Sequence, residues 1–261
     1  MTLLCGTDFS EASRLAVRAA AAWARKTGAK LELVHAVDLH GAFALLARGE
    51  GAFVPVDAEL ARWRKSAEDR LAAEAAPVAA SGVPITTRVL EGAADAALVA
   101  HAARCNANLI VVAAVGARAG SPFTLGSTAD RVAQSADRPV LVVRDPVPIE
   151  RWSAGGAPLR ALLAIDKTST AATAAAWGAL LARTGGVELS ALHVFWPPDL
   201  QQQRGETLRL GADSSEAEQA LARELEAVLA RRAAGVVCPL SLVGGLGRTA
   251  DHLTHAAAER R

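Results

Sequence analysis

The sequence contains an internal repeat whose two copies are offset by 158 positions. Asp8 and Asp166 each follow a short apolar segment, and His35 and His193 lie near the end of the next such segment. Two pairs of matching residues rarely share one offset by chance. The shared offset therefore indicates an internal repeat, in which one supersecondary unit occurs twice. The chain is therefore expected to form two related halves.

Short apolar segments alternate with helical segments through the first half, residues 1–146. Strands are predicted at 3–6, 31–37, 85–90, 109–115 and 139–143, and helices at 11–27, 58–80, 93–105 and directly after Gly126-Ser127. Such alternation is typical of a parallel sheet with helices on both faces. Because 51% of the residues are hydrophobic and only 4% aromatic, helices packed on an aliphatic sheet are favoured. The prediction is an α/β fold with a doubly wound, parallel five-stranded sheet.

The second half is predicted to be a truncated copy. Prolines and glycines in residues 147–158 indicate a linker. Residues 159–261 repeat the first three strands, with a helix near 214–233 and a strand near 237–243, and have no counterpart of the fourth and fifth strands. Asp166 is predicted to cap the helix that begins near Thr168.

The stretch from Leu109 to Arg144 has the layout of a phosphate-binding site. An apolar strand ends at Gly116, a loop of small residues closes on Gly126-Ser127, and a helix and another strand follow. Glycines let backbone N–H groups approach an anion, and Ser127 occupies the expected helix N-cap. An ordinary capped strand–loop–helix connection is the alternative interpretation.

Four motifs in the first half occur together. They are Asp8-Phe9-Ser10, His35-Ala36-Val37-Asp38, Gly126-Ser127 and Pro139-Val140-Leu141-Val142-Val143. In this combination the chain resembles the universal stress protein family. The resemblance implies the strand order 3-2-1-4-5 of the adenine nucleotide α-hydrolase-like fold.

The resemblance also implies a site for ATP or AMP in the first repeat, with Mg²⁺ as an accompanying ion. The residues that it implies are Thr7, Asp8, Ala36, Val115, Gly116, Arg118, Gly120, Gly126, Ser127 and Thr128. Arg118 could supply charge to a phosphate or be a solvated loop residue. His252 and His255 lack a third ligand, so no metal site formed by protein side chains is predicted.

The glycine loop departs from the family pattern. Ala119 stands where the pattern has glycine, Gly120 comes one position late, and the span to Gly126 is shorter. Two functions therefore stay open. One is a stress-response regulator that binds nucleotide, with at most slow hydrolysis. The other is a nucleotide-free universal stress protein that acts through protein contacts.

Charge and cysteine content bear on the cellular compartment and the binding partners of the protein. A net charge of +1 gives no reason to expect nucleic acid or an anionic membrane as partner. Three distant cysteines form neither a disulfide framework nor a metal pattern. A cytoplasmic protein is expected, and the family resemblance implies a homodimer through the strand Pro139–Val143, with another protein as a further candidate partner.

Overall fold

The computed structural model describes residues 1–38, 56–116, 125–196, 216–245 and 247–260. These form two compact units, Met1–Gly156 and Ala157–Arg261. The first unit contains strands β1 (Thr2–Gly6), β2 (Lys30–Val37), β3 (Ile85–Glu91), β4 (Leu109–Ala113) and β5 (Val140–Val143), and helices α1 (Glu11–Thr27), α2 (Val56–Ala80), α3 (Ala94–Arg104), α4 (Ser127–Ser135) and α5 (Val147–Ser153). The second contains β6 (Leu159–Ala164), β7 (Val187–Phe195), β8 (Leu240–Gly244), α6 (Ser169–Ala182), α7 (Glu216–Arg232) and α8 (Thr249–Glu259).

The five strands of the first unit form a parallel sheet in the order β3-β2-β1-β4-β5. The central strand β1 pairs with β2 on one side and β4 on the other, so that Leu4 lies between Glu32 and Ile110. Sequence order reverses between β1 and β4, and a crevice forms there at the carboxyl ends of the strands. The predicted fold class and strand order are confirmed.

Helices cover both faces of this sheet. The middle residues of β1 and the first four of β4 are fully or almost fully buried, as expected of parallel strands covered on both sides. Helix α1 begins after Ser10, whose side chain accepts a hydrogen bond from the Ser13 amide, and ends at Gly28. Gly28 has φ +66°, a left-handed conformation that glycine adopts without steric cost. The predicted bounds of α1 are confirmed.

The region predicted to be a linker contains helix α5. Trp152 is 1% exposed and its ring meets that of Trp23 edge to face, with centroids 5.4 Å apart. Arg18 on α1 also makes a bidentate ion pair with Glu150, with both N···O distances 2.8 Å. Most of residues 147–158 thus belongs to the first unit, because burial of an indole ring outweighs the helix-breaking composition around it.

The second unit is smaller and repeats part of the first. Its described residues form a parallel three-stranded sheet in the order β6-β7-β8. Helices α6 and α7 pack together over this sheet, through buried alanines on α6 and the leucines Leu221, Leu225 and Leu229 on α7. This agrees with the predicted incomplete repeat.

Replacing Trp152 with Ala should destabilise the first unit by about 3–5 kcal/mol, because the change leaves a cavity between α1 and α5. Urea unfolding followed by far-ultraviolet circular dichroism measures this. Val147→Ala on the exposed side of the same helix should change the free energy of unfolding by less than about 0.5 kcal/mol. Equal effects from both substitutions would contradict the docking of α5.

Candidate functional site

A cavity of about 660 Å³ lies at the carboxyl ends of β1, β2 and β4. The residues that line it and that the sequence predicted are Thr7, Asp8, Ala36, Val115, Gly116, Gly126, Ser127 and Thr128. The structure therefore brings together all of the predicted site residues that it describes. Arg118 and Gly120 lie outside the described residues.

Asp8 and Gly116 lie close together in the cavity. The Asp8 carboxylate accepts a hydrogen bond from the Ser10 amide at 3.1 Å. A Cβ atom at position 116 would lie 2.9 Å from the Asp8 carboxylate oxygen Oδ2. A larger residue at position 116 would displace this carboxylate, so glycine gives the chain leaving β4 room to pass Asp8.

The N-terminus of α4 forms one wall of the cavity. The Gly126 amide donates to the Ala114 carbonyl at 2.7 Å, which joins the start of α4 to the end of β4. Gly126 is the N-cap, no side chain caps the helix, and Ser127 is its first residue. The prediction that Ser127 is the N-cap is wrong by one position. The first amides of a helix lack intrahelical partners and favour an anion.

A second helix begins at the same cavity. Ala93 and Ala94, where α3 starts, line it together with Asp95. Asp95 forms an ion pair with Arg131 of α4 at 3.1 Å. Neither charged residue was predicted from the sequence. Arg131 stands one turn after Ser127, a spacing that places both on one helix face and could have indicated it.

Hydrogen bonds fix the end of β1. The buried Thr7 hydroxyl accepts from the Phe9 amide at 3.0 Å and donates to the Glu74 carboxylate of α2 at 2.9 Å. His35 Nδ1 lies 2.8 Å from the Thr7 carbonyl oxygen. Because a carbonyl only accepts, Nδ1 carries the hydrogen and donates it. The Thr7 side chain thus holds the backbone that presents Asp8.

The second unit preserves this strand end. His193 Nδ1 donates to the Ile165 carbonyl at 2.7 Å, in the same relation as His35 to Thr7.

Asp166 Oδ1 accepts from the Thr168 hydroxyl at 2.5 Å and from its amide at 2.8 Å. These bonds hold the pKa of the Asp166 carboxyl below its usual range. The N-cap of α6 is Thr168, so Asp166 stabilises the turn before the helix and is not the predicted cap.

The family model of the universal stress proteins matches residues 1–144 and again 159–260. The chain belongs to the universal stress protein family. The two matches follow the boundary between the two structural units, so the internal repeat is a pair of universal stress protein domains. No curated protein sequence matches the chain.

Solved structures of universal stress proteins resemble this one. A universal stress protein from Archaeoglobus fulgidus DSM 4304 is 17% identical, with a TM-score of 0.66 over 99% of this chain and 83% of that one. UspA from Lactobacillus plantarum is 24% identical over 55% of this chain and 97% of its own, with a TM-score of 0.43. A universal stress protein in complex with cAMP is 27% identical over 55% and 96%, with a TM-score of 0.42. The similarity to the Archaeoglobus fulgidus structure shows the fold across both repeats.

Among the helices of the described ranges, none is both long and apolar enough to cross a bilayer.

Thr168→Ala should raise the pKa of Asp166 toward its ordinary value, because the hydroxyl contributes most to lowering it. Folding lowers the pKa of this carboxyl, so the ionised carboxylate stabilises the folded protein at pH values above its unfolded pKa of about 3.9. This stabilisation is lost as the pH falls through the lower pKa of the folded protein. The variant should thus be less stable at neutral pH, and the difference should vanish in acid. Nuclear magnetic resonance titration of the Asp166 carboxyl, with Asp8 as internal reference, measures the shift. An unmoved Asp166 curve would contradict it.

Proposed function

We propose that this universal stress protein is a stress-response regulator that binds an adenine nucleotide, ATP or AMP, in its first repeat. One observation carries the proposal. Asp8, Gly116 and the N-terminus of α4 converge on a single cavity where the order of the sheet reverses. Ligands of open α/β sheets bind at such points.

The residues that line the cavity suit both the nucleoside and the phosphates of a nucleotide. The Asp8 carboxylate is an acceptor for ribose hydroxyl groups, and Ala36 and Val115 offer apolar surface to a base. Gly126, Ser127 and Thr128 present the start of α4, where backbone amides and the helix dipole favour phosphate. We propose that Mg²⁺ enters with the phosphates, as it usually does in nucleotide sites.

At the cavity, His35 donates through Nδ1 to the Thr7 carbonyl, and this bond fixes the orientation of its ring. We propose that the bound nucleotide acts as a regulatory ligand and is hydrolysed slowly at most. The three cysteines are free thiols, which fits the reducing cytoplasm.

Calorimetric titration of the full chain with ATP and Mg²⁺ should give saturable binding at one site per chain. Asp8→Ala should weaken the affinity at least tenfold, because it removes the acceptor for the ribose. Gly116→Ala should also weaken it, because its Cβ would displace the Asp8 carboxylate. Asp166→Ala, the matching change in the second repeat, is the control and should leave binding unchanged.

Absence of binding up to millimolar ATP would support the second candidate, a nucleotide-free protein that acts through protein contacts. Its support is the loop sequence, with Ala119 at the glycine position of the family and a shortened span to Gly126. Equal losses in Asp8→Ala and Asp166→Ala would contradict a site confined to the first repeat.

We also propose a homodimer through β5. This strand lies at the outer edge of its sheet, and Val140, Leu141 and Val142 are only half-buried. An apolar edge strand is a template for pairing with another chain.

Sedimentation velocity of the wild-type protein at micromolar concentration should therefore show a dimer. Leu141→Lys should weaken it at least tenfold, because the change places a charge on the edge. Val237→Lys, at an exposed site in the second unit, should leave the dimer intact. A monomeric wild type would exclude this interface.

A further inference from the structure

Three side chains of different metal-ligand types meet beneath α3. Glu32 extends from β2, His101 lies in the last turn of α3, and Cys105 is the C-cap of that helix. One ligand atom from each lies within 4.8 Å of the others. Within the described ranges this is the one group of three or more such residues that could enclose an ion.

The carboxylate and the imidazole are largely shielded from water and already in contact. The side chains of His101 and Glu32 are 8% and 12% exposed, and His101 Nε2 lies 2.9 Å from Glu32 Oε1. Arg104 donates weakly to His101 Nδ1 at 3.4 Å. Because a guanidinium cannot accept, Nδ1 is the acceptor and Nε2–H donates to Glu32.

The Cys105 thiol faces the same carboxylate. Burial, and then the charge of Glu32, raise the pKa of this thiol. A thiol in this setting stays protonated at neutral pH and is a poor nucleophile, so its position does not suit redox or covalent chemistry. A divalent cation reverses this preference, because it binds the thiolate and drives off the proton.

We propose that Glu32, His101 and Cys105 form a binding site for Zn²⁺ or a related first-row divalent cation. These are the three ligand types that zinc prefers, at about 2.0–2.3 Å from the metal. A tetrahedral ion separates its nitrogen and oxygen ligands by about 3.3 Å. The observed 2.9 Å between His101 Nε2 and Glu32 Oε1 needs to open only slightly. Water would complete the coordination.

The protons and charges of the site balance. The Glu32 carboxylate and the Cys105 thiolate together neutralise a divalent cation. His101 stays neutral, because its hydrogen moves from Nε2 to Nδ1 when Nε2 binds the metal. The thiol releases one proton to solvent. Two guanidinium groups must turn away, and both can, because Arg104 is exposed and the Arg88 side chain that bonds Glu32 is 59% exposed.

The cluster is separate from the nucleotide cavity. Ala94 and Asp95 at the start of α3 border that cavity, whereas His101 and Cys105 lie at the opposite end of the helix. Glu32 lies near the start of β2, and the cavity is at the end of that strand. Metal binding can therefore be tested without nucleotide, and its failure would not bear on the proposed function.

Titration of the metal-free full chain with Co²⁺ tests the proposal, because a cobalt–thiolate bond produces a near-ultraviolet charge-transfer band. The band should saturate at one Co²⁺ per chain and disappear when Zn²⁺ is added. Cys105→Ser should abolish it. Cys238→Ser is the matched control, since Cys238 is also a half-buried thiol whose pKa burial raises, and it should retain the band.

Two further measurements separate a metal ligand from a structural side chain. Zn²⁺ added to weakly buffered wild-type protein should release about one proton per chain, and Cys105→Ser should release none. Glu32→Gln keeps an acceptor for His101 but loses the charge, and should weaken Zn²⁺ binding at least tenfold while its circular dichroism stays native. No binding up to millimolar Zn²⁺, or a cobalt band that survives in Cys105→Ser, would overturn the proposal.

Discussion

The parallel pairing of β1 with β4 is the constraint on which the first unit depends. Leu3 lies opposite Leu109, and Cys5 opposite Val111, in strands that are buried on both faces. Because the two strands run in the same direction, their carboxyl ends meet, and Asp8 lies beside Gly116. The core and the candidate nucleotide site therefore depend on the same strand pair.

The two repeats differ in what they keep of this arrangement. In both repeats, a histidine of the second strand donates a hydrogen bond to the carbonyl that follows the first strand. This histidine is His35 in the first repeat and His193 in the second. That bond needs only the first two strands of a repeat. The part of the cavity that is proposed to bind phosphate needs β4 and α4. Their counterparts are absent from the described part of the second unit. The strand-end hydrogen bond is thus structural in both repeats, and the proposed ligand site lies in the first.

Helix α3 connects two regions of different chemistry. Its first residues border the candidate nucleotide cavity, and its last turn carries His101 beside Glu32. An anion is favoured at the N-terminus of a helix and a cation at the C-terminus. The proposed position of the divalent cation, at the C-terminal end of α3, follows this polarity.

The sequence by itself determined the fold class and much of the candidate nucleotide cavity. Alternating apolar segments indicated a doubly wound sheet, and Asp8, Gly116 and Gly126 follow strands whose carboxyl ends share one edge. Only the tertiary structure decided the rest. Local composition predicted a linker around Trp152, but contact with Trp23 makes it a docked helix. Glu32 and His101 are 69 positions apart, and local spacing carries no information about such a pair. Their meeting depends on how α3 packs on β2, which is a property of the whole core.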